Sequence, residues 1–241
     1  MPRRTREFRP MDSIVMGRSQ NSDLTPEQRE ALGFSRHYQG DPLNPRNRSA
    51  NIPEEESCSL YIQHLPPGMT EKRLLDELQK YAPFGKVNQT WVRPHDPNRG
   101  HPFSAAKLVM FERAGAEKVH TFVKNGGLVF DGIEAIIRWN TQRVPARSVT
   151  DPKHWYMTRV LKIWGPKKLV NVKFLYDHWN NKIQFTTQNI YHIAETPTVS
   201  CLIWVFGSMR HQAELAYLAL KELADQHVDF EYAEDPLAER P

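Results

Sequence analysis

The sequence predicts an α+β protein: two tandem ferredoxin-like βαββαβ units behind a disordered N-terminal tail. Three observations predict it. The prolines cluster at the front and at the joints, six of 18 falling in the first 53 residues. A strand–helix–strand–strand–helix–strand pattern runs over 57–143. The same order recurs over 158–235. The expected divisions are a basic tail over 1–53, a first domain over 57–143, a linker over 144–157 and a second domain over 158–235.

The tail is polar and aperiodic, with the composition of a chain that cannot bury a core. One stretch differs. Thr25 can cap a short helix over 26–32, with Pro26 at the first helical position, Gln28 completing a capping box and Gly33 closing the end. From Ser57 the texture changes. Ser57–His64 reads as a strand, and Pro66-Pro67-Gly68 ends it. Thr70 can cap a helix over Glu71–Tyr81 with Leu74, Leu75 and Leu78 on one face. Lys86–Arg93 is a second strand, and the polar loop 95–102 leads to a third over Ser104–Phe111. A helix over Ala114–Lys124 turns Ala116, Val119, Phe122 and Val123 inward and stops at Asn125-Gly126-Gly127. Ile133–Asn140 is the fourth strand.

The second half begins with a strand over Arg159–Trp164, closed by Gly165-Pro166. A helix over Lys168–Asn180 carries Leu169, Val172, Leu175 and Trp179. Strands over Thr187–Glu195 and Val199–Phe206 follow. Then come a long helix over Arg210–Asp225 and a last strand over Val228–Tyr232. No proline interrupts any of these elements, as expected of strand and helix interiors.

Three segments of the first unit resemble the RNA recognition motif (RRM) family. Leu60-Tyr61-Ile62-Gln63-His64-Leu65 is similar to its first-strand motif. Phe84-Gly85-Lys86-Val87 is similar to its turn into strand two, and Gly126–Gly132 to its link into strand four. The resemblance implies an RRM-type fold over 57–143 and single-stranded RNA as partner. That the chain is not an enzyme is expected separately, from the absence of catalytic motifs. The second unit resembles the family only weakly.

Alternation decides which side chains an open sheet face would offer. In strand three, burying Lys107 without a partner would be costly. The preferred register therefore turns Ala106, Leu108 and Met110 inward and leaves Ala105 and Lys107 on the face. Strand three then lacks the rings that the family stacks on bases. Strand one adds Tyr61 and Gln63, strand two Trp91 and Arg93, and strand four Ile136, Arg138 and Asn140. Rings beside cations suit single-stranded RNA: the rings stack on bases and the cations meet phosphates. Arg143 and Arg147, at the start of the linker, are further candidates for gripping backbone, a solvated linker being the alternative. The equivalent face of the second unit carries Lys162, Trp164, Cys201, Ile203 and Val205. So apolar a surface points to a protein partner or an interdomain contact. The competing functional reading is a protein-interaction adaptor or scaffold with little RNA binding.

Several chemistries find no support. His95 and His101 lack companions at metal-ligand spacing, so no metal is expected. No glycine-rich phosphate loop or nucleophile-elbow motif occurs, and no cofactor is expected. Two cysteines cannot frame a disulfide-rich domain. No apolar run approaches the roughly 18–20 residues of a membrane span, and the N-terminus lacks a secretory signal. Nucleus or cytoplasm, without membrane attachment, is the expected setting. The net charge of +4 is unevenly spread. Residues 1–50 carry 9 basic and 6 acidic groups, 51–148 carry 13 and 11, and 149–241 carry 10 and 11. The basic excess sits with the tail and the first unit.

Overall fold

A computed structural model describes residues 25–31, 52–147 and 155–238. The expected disorder of the tail concerns residues almost wholly outside that set, as does the middle of the linker. Within the tail, α1 (Pro26–Ala31) forms with the expected capping box. The Thr25 amide donates to Gln28 Oε1 at 2.8 Å, and the Gln28 amide donates to Thr25 Oγ1 at 3.2 Å.

The first unit follows the order β1 (Ser59–Leu65), α2 (Glu71–Gln79), β2 (Val87–Arg93), β3 (Ser104–Met110), α3 (Arg113–Lys124), β4 (Val129–Phe130), β5 (Ile133–Glu134) and β6 (Ile136–Trp139). Its antiparallel sheet has the order β2-β3-β1-β6. Both helices pack on one face. Thr70 Oγ1 accepts from the Arg73 amide and starts α2, whose Leu74, Leu75 and Leu78 are fully buried. They meet Leu60, Ile62, Leu108 and Met110 from the sheet in one core. Gly115 lets α3 come close, because a Cβ there would sit 2.8 Å from the Phe84 carbonyl. The fourth strand is shorter than expected. Asp131 (φ 52°) and Gly132 (φ 77°) form a tight turn between β4 and β5, so β6 starts only at Ile136. An Asp-Gly pair with both φ positive is the two-residue hairpin signal.

The second half contains β7 (Val160–Pro166), α4 (Val172–Asn180), β8 (Thr187–Glu195), β9 (Val199–Phe206), α5 (Glu214–Leu220) and β10 (Asp229–Tyr232). Its sheet order, β10-β7-β9-β8, is the same permutation as in the first unit. The core is aromatic: Trp179 lies edge-on to Trp204 at 4.9 Å and to Phe206 at 5.3 Å. Two helix boundaries differ from expectation. The first helix begins four residues late, because Asn171 Oδ1 caps it by accepting from the Phe174 amide. The second does not begin at Arg210, where the backbone is extended (φ −66°, ψ 131°) and followed by left-handed His211 (φ 65°).

The two halves meet along the outer edge of β2. Three of its amides find side chains there. Val87 donates to Asp235 Oδ2 at 3.0 Å, Thr90 to Ser208 Oγ at 2.8 Å and Val92 to Glu71 Oε1 at 3.0 Å. Ser208 Oγ also donates back to the Thr90 carbonyl at 3.0 Å. Asp235 is buried and also accepts from Arg159 Nε at 3.1 Å, while Arg159 Nη1 donates to the Phe206 carbonyl and to Gln188. From the other side, Gln188 Nε2 donates to Asp76 and Gln79 on α2. Leu237, two residues beyond the expected end of the second domain, is fully buried in the first unit's core. Its carbonyl accepts from the Phe84 and Gly85 amides.

Candidate nucleic-acid interface

The register places four candidate residues in one row across the first sheet. Trp91 on β2 pairs with Lys107 on β3, Lys107 with Tyr61 on β1, and Tyr61 with Arg138 on β6. At strand spacings near 4.8 Å the row is about 14 Å long. All four side chains lie on the face away from α2 and α3, because their strand neighbours Ile62, Val92, Ala106 and Leu108 enter the core. Trp91 is 51% exposed and Arg138 is exposed, while Tyr61 and Lys107 are half-buried. The Arg138 guanidinium carbon lies 5.0 Å from the centre of the Tyr61 ring. Burial, and then the Arg210 charge, hold the Lys107 ammonium below the usual lysine range.

The next rows add Arg93, paired with Ala105, and Gln63, paired with Ile136. Arg93 and Gln63 are half-buried, and Ile136 is 47% exposed. Asn140 lies just past β6, where its Oδ1 accepts from the Gln142 amide at 3.0 Å. Arg143 is not brought to the face. Its Nη1 donates to the Ile52 carbonyl at 2.7 Å, and its Nη2 lies 3.9 Å from Glu54 Oε2. Arg147 lies 3.6 Å from Glu214.

The preferred strand-three register is the one found, yet the face is not open along its whole length. Ala105 and Val109 are buried although they alternate with core residues. Phe111, further along, packs with Met157 and Met209 from beyond the linker. The exposed part is the middle, around Trp91, Tyr61 and Arg138. Arg210, which acts on Lys107, escaped the sequence reading because it sits inside a stretch with helical periodicity.

On the second sheet, Lys162 and Ile203 lie in a row with Tyr191 and Glu231, and Trp164 in a row with Cys201, Ala194 and Asp229. Lys162 Nζ donates to Glu231 at 3.0 Å and lies 5.3 Å from the centre of the Trp164 ring. Val205 is buried, in the row that reaches Asn189, where Lys72 of α2 donates to Asn189 Oδ1. The side-chain contact with α2 thus lies at Asn189 and Gln188, at the end of the sheet where Val205 is buried. Trp164 and Ile203 stay half-buried beside exposed Tyr191 and Ile193. Among the described residues, no group of His, Cys, Asp and Glu is arranged to hold a metal ion.

No family model and no curated protein matches the chain. Solved structures show a weak likeness. RNA recognition domains 1 and 2 of Sex-lethal from Drosophila melanogaster align at 13% identity, over 73% of this chain and 99% of that one, with a TM-score of 0.28. The Mip6 RRM3 domain aligns at 11% identity over 37% and 96%, with a TM-score of 0.29. The PID-3 TOFU-6 RRM domain complex aligns at 18% identity over 35% and 86%, with a TM-score of 0.29. Likeness this weak assigns no function to the chain.

Proposed function

We propose that the protein binds single-stranded RNA on the exposed sheet face of the first unit. In this reading 57–143 is an RRM domain, 144–157 a linker and 158–235 a divergent RRM-like domain. The observation that carries the proposal is the row Trp91–Lys107–Tyr61–Arg138, which crosses all four strands and alternates ring and cation. Trp91 and Tyr61 stack on bases, while Lys107, Arg93 and Arg138 meet phosphates. Gln63 and Asn140 offer hydrogen bonds to base edges. A stacked base contributes about 1–3 kcal/mol. The Arg138 guanidinium over Tyr61 is itself a stacking plane, so a base has two surfaces to choose from. Arg143, bound to Ile52, contributes nothing directly.

Fluorescence anisotropy with pooled single-stranded RNA oligomers tests the proposal. Binding should weaken with salt, with a log–log slope of about −0.7 per phosphate contact. Absence of binding at tens of micromolar protein, or binding that Tyr61→Ala leaves intact, overturns it.

A second reading has its own observation. Tyr191, Ile193 and Val199 are exposed on or beside the second sheet's outer face. In that reading the protein is an adaptor and the face takes a protein partner. Affinity capture with and without nuclease separates the two, since an adaptor keeps its partners after RNA digestion.

A further inference from the structure

We propose that the loop Ser208–His211 of the second unit is part of the RNA site, with Arg210 contacting a phosphate beside Lys107, so that the binding surface spans both units. The proposal rests on the sheet-face reading above and extends it to a residue outside the first unit.

Three features place the loop. Ser208 is anchored to the β2 edge through both the amide and the carbonyl of Thr90, the residue before Trp91. Met209 is fully buried against Phe111 and Met157, so the loop is pinned at two successive residues. The backbone then leaves the helical path: Arg210 is extended and His211 left-handed. A left-handed non-glycine residue is a local strain that the surroundings must hold in place. The result leaves Arg210 exposed at the end of a loop anchored on the β2 edge, within electrostatic reach of Lys107.

The charges make the case for an anion. Among the described residues, Arg93, Lys107, Arg138 and Arg210 form no ion pair. By contrast, Arg147 is paired with the Glu214 carboxylate that follows the loop. Arg210 and Lys107 repel one another until an anion arrives, and the Trp91 and Tyr61 rings flank Lys107 in its row. A polyanion with stackable bases satisfies both halves of the surface, and a duplex, whose bases are already stacked, satisfies only one. The second unit thus adds a cation on the β2 side of the face.

The test compares Arg210→Ala, Arg210→Lys and Trp91→Ala in the full chain, by anisotropy with a labelled single-stranded RNA oligomer over a series of salt concentrations. Arg210→Ala should weaken binding roughly five- to tenfold and flatten the salt slope by about 0.7, with Arg210→Lys restoring the slope. Trp91→Ala should weaken binding and keep the slope. If Trp91→Ala weakens binding while Arg210→Ala changes neither affinity nor slope, the loop's role is overturned and the sheet-face reading stands. If none of the variants differs from wild type, the sheet-face reading fails with it. Should Arg210→Ala unfold the chain, the Arg210 guanidinium resonance in the wild-type protein decides. A shift on titration with RNA supports the proposal, and an unmoved resonance overturns it.

Discussion

Tyr61 and Trp91 occupy the same row but different surroundings. The Tyr61 ring already faces the Arg138 guanidinium, while Trp91 stands exposed at the β2 end. Trp91→Ala should therefore remove a stacking surface with little cost in stability. The expected loss of RNA affinity is about 5- to 150-fold, the equivalent of 1–3 kcal/mol, and equilibrium binding with an unchanged denaturation midpoint would show it. Cys58 gives a residue-scale prediction of a different kind. Burial above all, with Glu112 next, pushes its thiol up to about 12. The folded state thus keeps a proton that the unfolded chain releases at lower pH. Stability from this group is intact below the unfolded value and declines as pH rises through the alkaline range toward about 12. Urea midpoints across alkaline pH should fall less steeply in Cys58→Ala than in wild type, and a thiol reagent should label Cys58 only on unfolding.

At the scale of elements, the order and faces of most strands and helices are legible from alternation and capping. The inward set Ala106, Leu108 and Met110 follows from refusing to bury Lys107, and Thr70 announces α2. Where legibility fails, a local backbone preference has overridden periodicity. Asp131-Gly132 folds into a hairpin turn inside what reads as a link into one longer strand. Arg210 and His211 break a helical pattern because Ser208 and Met209 are held by the first unit, a contact that no local pattern signals. The β2 edge illustrates what such contacts do. An exposed edge invites other strands, and here Asp235, Ser208 and Glu71 occupy its amides. Ser208→Ala leaves the buried Thr90 amide and carbonyl without that partner. Stability should drop by about 1–3 kcal/mol, measured by chemical denaturation, because orphaned buried groups bear their full desolvation cost.

For the whole molecule, the repeated strand order suggests two separable units, but the packing ties them together. Asp235 joins the β2 edge to Arg159, and Leu237 sits in the first unit's core. Neither contact has a local sequence signal, because the partners lie far apart along the chain. Asp235→Ala strands the Arg159 charge in a buried site and should cost about 3–5 kcal/mol. Leu237→Ala should cost about 2–5 kcal/mol. Denaturation followed by tryptophan fluorescence and by circular dichroism should give one coincident transition, and both substitutions should move all of it. On the proposed reading, the RNA face belongs to the joined units, with its cations drawn from β2, β3, β6 and the Ser208–His211 loop. The most direct test is a titration of isotope-labelled protein with single-stranded RNA, comparing the indole N–H resonances of Trp91 and Trp164, which lie on the faces of different sheets. A shift at Trp91 with Trp164 unmoved is the predicted result. A shift at Trp164 with Trp91 unmoved would contradict binding on the first sheet.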